Sequence, residues 1–114
     1  MNKLRVGICG WGNVATGLFK TLQTNSVEIK KRSNLEIEII AIGARRDNPK
    51  CDPGNVIIER DIFNIIDHDI DVIVELIGGV DVARDLILKA LNAKKHVVTA
   101  NKAVIFNHGD ELFS

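Results

Sequence analysis

The sequence predicts an α/β fold with a mostly parallel sheet covered by helices on both faces, and three observations carry that expectation. Short apolar runs alternate with segments of helical periodicity along nearly the whole chain, and strands that alternate with helices form parallel sheets through crossover connections. The first run, residues 4–9, is apolar apart from Arg5 and stops at Gly10, as a strand buried in a parallel sheet requires. A glycine cluster, Gly10-Trp11-Gly12, stands where the first run meets the first helical segment.

Taken in order, residues 4–9 form a short apolar run that stops at Gly10 and predict a buried strand. Val14, Leu18 and Leu22 then recur every four residues with Phe19 alongside, the spacing of one face of a helix. The polar, basic stretch 24–34 is expected to finish that helix and turn back, with Lys30-Lys31-Arg32 as a solvated helix end. Residues 35–42 hold four isoleucines and one leucine and predict a second strand. Asp47-Asn48-Pro49 and Asp52-Pro53-Gly54 are turn chemistry with no regular element across them. Val56-Ile57-Ile58 reads as a short third strand and residues 61–66 as a short helix. Asp71-Val72-Ile73-Val74-Glu75-Leu76-Ile77 is a strong strand stopped by Gly78-Gly79. Val82, Ala83, Leu86, Ile87, Ala90 and Leu91 have helical period, and His96-Val97-Val98-Thr99 is a last strand before a helix-like segment at 103–114.

Composition bounds the possibilities. A chain of 114 residues, 46% of them hydrophobic and 26% charged, has the make-up of one ordinary globular domain with one core. Fifteen basic residues balance fifteen acidic ones, so no global field favours nucleic acid or an anionic membrane, and any anion site must be local. No apolar run approaches the ~20 residues of a membrane-spanning helix, and the first residues lead into a strand rather than a signal peptide. Two cysteines, Cys9 and Cys51, form neither a disulfide framework nor a metal-ligand pattern. His68, His96 and His108 are equally scattered, so no metal is expected, and a reducing cytoplasm is the default compartment.

Gly10-Trp11-Gly12-Asn13-Val14-Ala15 fits the G-x-G-x-x-G/A fingerprint of dinucleotide-binding domains. The first glycine allows the tight turn, and the second lets a pyrophosphate approach the backbone where a Cβ would collide. Ala15, and Gly17 beyond it, are expected to let the helix pack closely on the sheet. The helix start at Asn13 and Val14 offers unpaired N–H groups and a positive dipole end to phosphate, so Gly10, Gly12, Asn13 and Val14 are the expected phosphate contacts. Trp11 is expected to pack locally rather than serve as a stacking platform. The fold is therefore expected to be Rossmann-like and doubly wound. Five strands are visible where such a sheet usually has six, so residues 1–114 are expected to form an incomplete cofactor-binding domain.

The second strand ends in Arg45-Arg46, where NAD-binding domains usually place an acid on the ribose 2′-hydroxyl. Paired guanidiniums suit a 2′-phosphate through charge and bidentate hydrogen bonds. Asp47 keeps NAD open from a position beyond the arginines. NADP is thus favoured over NAD.

Two stretches are more specific than the glycine turn. Val74-Glu75-Leu76-Ile77-Gly78-Gly79 and Lys95-His96-Val97-Val98-Thr99-Ala100-Asn101-Lys102-Ala103 closely resemble the matching segments of homoserine dehydrogenases, in the same order and at the same separation. The glycine turn, the long first crossover and the Arg46-Asp47 pair fit as well, so the resemblance covers nearly the whole chain. It implies an oxidoreductase that interconverts L-homoserine and L-aspartate 4-semialdehyde with NAD or NADP, a step toward threonine and methionine. It further implies that Gly78 and Gly79 bring the chain close to the cofactor, that Thr99 and Ala100 line the nicotinamide ribose, and that Lys102 reaches the reaction centre. Substrate carboxylates, a second lysine and the dimer contact would belong to a later domain absent from residues 1–114, so this chain alone is expected to bind cofactor without turning over. The sequence departs from the family at Ala15 and at Lys94, both of which are often glycine there; Lys94 occupies a helix C-terminal position where glycine relieves left-handed strain.

The placement of Lys102 has an independent rationale. Ligands of open parallel sheets bind beyond the carboxyl ends of the strands, and Lys102 follows the strand ending at Thr99. A lysine there can neutralise charge developing on a carbonyl oxygen or hydrogen-bond a substrate hydroxyl. Glu75 either orients a backbone loop near the cofactor or ends its strand in solvent. Two rival functions stand beside this one. A dehydrogenase of another substrate could carry the same domain, although sugar-specific ones commonly have Glu-Lys-Pro where this chain has Asn101-Lys102-Ala103. A non-catalytic redox-sensing module would be expected to carry a DNA-binding segment, and no basic helix-turn-helix pattern is visible.

Overall fold

The computed structural model describes residues 2–49, 51–77 and 80–99. In chain order it contains β1 (Asn2–Cys9), α1 (Asn13–Thr24), α2 (Ser26–Ser33), β2 (Leu35–Gly43), β3 (Ile57–Glu59), a 3₁₀ segment (Ile62–Asp67), β4 (Val72–Glu75), α3 (Asp81–Asn92) and β5 (His96–Thr99). The strands pair in the order β3-β2-β1-β4-β5, and every pairing is parallel. The chain therefore runs outward from the central β1 to β3, crosses back, and continues on the other side through β4. This doubly wound order bears out the expected Rossmann-like class.

Helices cover both faces because side chains alternate along each strand. Val6, Ile8 and Ile42 turn toward α1 and pack with Ala15 and Phe19. Cys9, Ala41 and Ile73 turn the other way and pack with Ile65 of the 3₁₀ segment and Leu86 and Ala90 of α3. The 3₁₀ segment can lie close on the sheet because Gly7 and Gly43 carry no side chain: a Cβ on either would come within 2.7 and 3.1 Å of Ile65, respectively. The sequence predicts a short helix over 61–66, and the structure has a six-residue 3₁₀ helix there, about two tight turns.

The long isoleucine run conceals a bulge. Val6 pairs with Ile39 but Gly7 pairs with Ala41, so Ile40 is an extra residue in β2. Ile37 and Ile39 pack on the α1 side, Ile40 and Ala41 both pack on the α3 side, and Ile42 returns to the α1 side. The bulge lets both faces of the strand's carboxyl half be buried in register with β1.

Two helical expectations are corrected. Residues 24–34 do not merely finish the first helix and turn back: α1 ends at Thr24, the chain breaks at Asn25, and the stretch forms a helix of its own, α2, capped by Asn34 in the left-handed region, φ 53°. The buried stripe of α1 is Ala15, Thr16 and Phe19, while Val14 is 66% exposed. A side chain in the first turn leans toward the helix N-terminus, which here carries Val14 past the end of the sheet. Gly17 is exposed, and a Cβ there would meet nothing within 4 Å, so it plays no part in close helix–sheet packing; Ala15, 1% exposed, does.

α3 buries Ala83, Leu86, Ile87 and Ala90 as its periodicity required. It closes in a Schellman motif: the Lys95 N–H donates to Ala90 O (2.9 Å) and the Lys94 N–H to Leu91 O (3.0 Å). The motif forces Lys94 to φ 61°, a conformation unfavourable for any residue with a Cβ. Lys94 is exposed, so its side chain has little packing to lose. Lys94→Gly should raise stability by about 0.5–1 kcal/mol, the relieved strain offset in part by the greater freedom of glycine in the unfolded chain. Urea unfolding checks this, and a lowered midpoint would refute it.

Candidate functional site

The carboxyl ends of β1, β2 and β4 converge at the point where the winding reverses. The Gly10 N–H donates to Gly43 O and the Leu76 N–H to Cys9 O, each at 2.8 Å, so the three strand ends are locked side by side. Just beyond them lies a cleft of about 380 Å³ walled by the glycine turn, Arg45 to Pro49, Ile62, Leu76 and Ile77. A cleft outside the carboxyl ends at a topological switch point is where open α/β sheets bind ligands.

The two glycines of the turn have different physical roles. Gly10 sits at φ +110°, and a Cβ on it would lie 2.7 Å from the Leu76 carbonyl oxygen, so the turn itself requires glycine. Gly12 has an ordinary extended conformation, φ −92° and ψ −161°, and a Cβ there would meet nothing within 4 Å. Nothing in the described protein demands glycine at that position; the open space is what a group pressed against the backbone would need. Asn13 and Val14 open α1 and are exposed. No side chain among the described residues caps this helix and no acidic residue lies in its first turn, so its leading N–H groups and dipole, next to Gly12 of the cleft wall, meet no side-chain anion there. Thr16 instead turns its hydroxyl back to Gly12 O, 3.0 Å away. These features fit a pyrophosphate.

Arg45 and Arg46 line the cleft, are exposed, and take part in no ion pair among the described residues. Asp47, the acid that left NAD open, is paired with Arg60, whose Nη1 also donates to Ala44 O at 3.2 Å. Sequence reasoning missed this pairing, and it missed the tether made by Asn48, whose Nδ2 donates to Trp11 O at 3.2 Å and ties the arginine loop to the glycine turn. Beyond turn chemistry, nothing in the sequence signals either contact. Trp11 buries its ring edge-to-face against Phe19, centroids 5.4 Å apart, so it is a core residue and not a stacking platform. Ile62, Leu76 and Ile77 supply the apolar wall.

Glu75 orients backbone and does not end its strand in solvent. It is fully buried; one carboxylate oxygen accepts the Ile77 N–H at 3.0 Å and the other accepts the Thr99 hydroxyl. Burial, helped by the Glu75 charge, pushes the neighbouring Cys9 thiol up to about 12, which leaves it protonated and inert at neutral pH. Gly78, Gly79, Ala100 and Lys102 lie outside the described residues, as does His108. Among the described residues no cluster could hold a metal ion, and no helix is long and apolar enough to cross a membrane.

Residues 10–114 match the family described as homoserine dehydrogenase, NAD binding domain. The chain is 51% identical over 115 residues to the homoserine dehydrogenase of Pseudomonas aeruginosa, covering 100% of this chain and 26% of that protein. It is 42% identical over 108 residues to that of Methylobacillus glycogenes, covering 92% and 26%. It also superposes on the crystal structure of a homoserine dehydrogenase from Thiobacillus denitrificans with a TM-score of 0.89 at 36% identity, covering 98% of this chain and 26% of that one. The chain thus spans about a quarter of the length of the relatives it matches. With the fingerprint turn at the switch point of a parallel sheet and this match across nearly all of its length, the chain belongs to the NAD-binding domain family of homoserine dehydrogenases.

Proposed function

We propose that this chain is the cofactor-binding part of an enzyme that interconverts L-homoserine and L-aspartate 4-semialdehyde, with NADP as the favoured cofactor over NAD. One observation carries the reading: at the switch point, an uncapped helix start and an open space over Gly12 meet a pair of exposed arginines that take part in no ion pair among the described residues.

The chain's own residues divide the work. Gly10 makes the turn, Gly12 clears room for phosphate, and the N–H groups opening α1 at Asn13 and Val14 donate to it. Arg45 and Arg46 recognise the 2′-phosphate, while the Asp47–Arg60 pair removes the acid that would repel it. Gly78 and Gly79 bring the backbone to the cofactor, and Thr99 and Ala100 line the nicotinamide ribose. The nicotinamide, when bound, supplies or accepts hydride. Lys102 holds an ammonium near the substrate oxygen and neutralises charge growing there. A region corresponding to the three quarters of the relatives that this chain does not match would bring the substrate site and the contact that makes a homo-oligomer. Two buried free cysteines suit a reducing cytoplasm.

Calorimetry tests the cofactor preference directly. NADPH should bind more tightly than NADH, and Arg45→Ala or Arg46→Ala should erase most of the difference, each charge-assisted contact contributing about 1.5–3 kcal/mol. Equal affinities in the unmutated protein would reject the preference. Failure of the full-length protein to reduce L-aspartate 4-semialdehyde with either cofactor would reject the activity.

A further inference from the structure

Glu75 stands in register with Cys9 on one side and Thr99 on the other, fully buried at the end of a strand that is otherwise Val72-Ile73-Val74. An apolar side chain would continue the face that Ile73 presents to Leu86 and Ala90. Burying a carboxylate is unfavourable unless its lone pairs are met, and stability alone seldom justifies it. The two groups that meet this one are Ile77, which lines the cleft two residues further on, and Thr99, at the carboxyl end of the adjacent strand.

We propose that Glu75 is a positioning residue that ties the cleft wall at Ile77 to Thr99 and fixes the Thr99 hydroxyl as a hydrogen-bond acceptor toward the cofactor. With its hydrogen donated to Glu75, the Thr99 oxygen can meet any further partner only through its lone pairs. A ribose hydroxyl or a carboxamide N–H2 suits it; a phosphate oxygen does not. The inference rests on the dinucleotide reading above and adds to it a residue that need not touch the cofactor.

The test uses the full-length protein, with NADPH titrated by fluorescence alongside thermal melting. Glu75→Gln is isosteric: its amide oxygen can still accept the Ile77 N–H, but its N–H2 donates to Thr99 and turns the hydroxyl hydrogen outward. It should weaken NADPH binding by up to about tenfold, the upper range of one ordinary net hydrogen bond. Thr99→Val should lose a similar factor, Thr99→Ser should recover affinity to within about twofold, and the Glu75→Gln/Thr99→Val double variant should bind no more weakly than Thr99→Val alone, because both changes remove one coupled interaction. Should Glu75→Gln fail to fold, the Thr99→Val and Thr99→Ser pair carries the test. Normal NADPH affinity in a folded Glu75→Gln or in Thr99→Val, with only the melting temperature lowered, would overturn the inference and leave Glu75 structural; so would losses that multiply in the double variant. An unmutated protein that binds no NADPH would overturn the dinucleotide reading itself, and this inference with it.

Discussion

Gly12→Val should abolish dinucleotide binding, by more than about 100-fold, while the domain stays folded. A branched side chain would fill the space a pyrophosphate needs against the backbone. Structure makes this variant unusually clean. Gly12 is extended, and a Cβ there would touch nothing within 4 Å, so valine strains neither the turn nor the core; loss of a favourable N-cap residue should cost at most about 1 kcal/mol. Gly10 would not serve, because at φ +110° and 2.7 Å from the Leu76 carbonyl oxygen any side chain would disturb the fold as well as the site. Fluorescence titration with NADPH, beside circular dichroism of the same sample, decides the matter. Retained affinity in a folded Gly12→Val would reject the phosphate cradle.

Lys102→Ala in the full-length protein should lower turnover by about 10²–10³, the usual cost of removing one preorganised electrostatic donor. Under the proposed activity, negative charge would grow on the substrate's carbonyl oxygen as it is reduced, so an ammonium held there would act mainly in the transition state. Losing an interaction made only there lowers kcat and kcat/KM together. Lys102→Arg should also be poor, because a planar guanidinium cannot take the place of an ammonium. Cofactor affinity should fall far less, since the proposed pyrophosphate contacts at Gly10, Gly12 and the start of α1 would be untouched. Steady-state kinetics beside cofactor titration separates the roles. Near-normal kcat with badly weakened NADPH binding would make Lys102 a cofactor ligand alone.

Much of this site is written locally. A glycine pair between an apolar run and a helix, with two arginines closing the next strand, carries the proposed cofactor site in residues that are neighbours in sequence: a turn that only glycine makes, a helix start that follows it, a cation at a strand end. The Schellman strain at Lys94 belongs to the same class, since a helix C-terminus is a local event. The alternation of strand and helix settled the class of fold, because a period of two or 3.6 residues is visible in a short window.

What only the tertiary structure decided depends on partners far along the chain. Ile39-Ile40-Ala41-Ile42 is apolar without interruption, so nothing in it marks Ile40 as the bulged residue; pairing with β1 does that. Val14 continued an apolar spacing that the sheet, ending beneath it, leaves in solvent. Asp47 found its partner in Arg60, 13 residues away, and Asn48 reached Trp11 across 37. Glu75 could have ended in water or in the core, and Thr99, 24 residues on, joins Ile77 in holding it in the core. Side-chain periodicity records which face a residue takes, whereas these contacts turn on which strand ends the crossovers bring together, and that is set only when the sheet closes around β1.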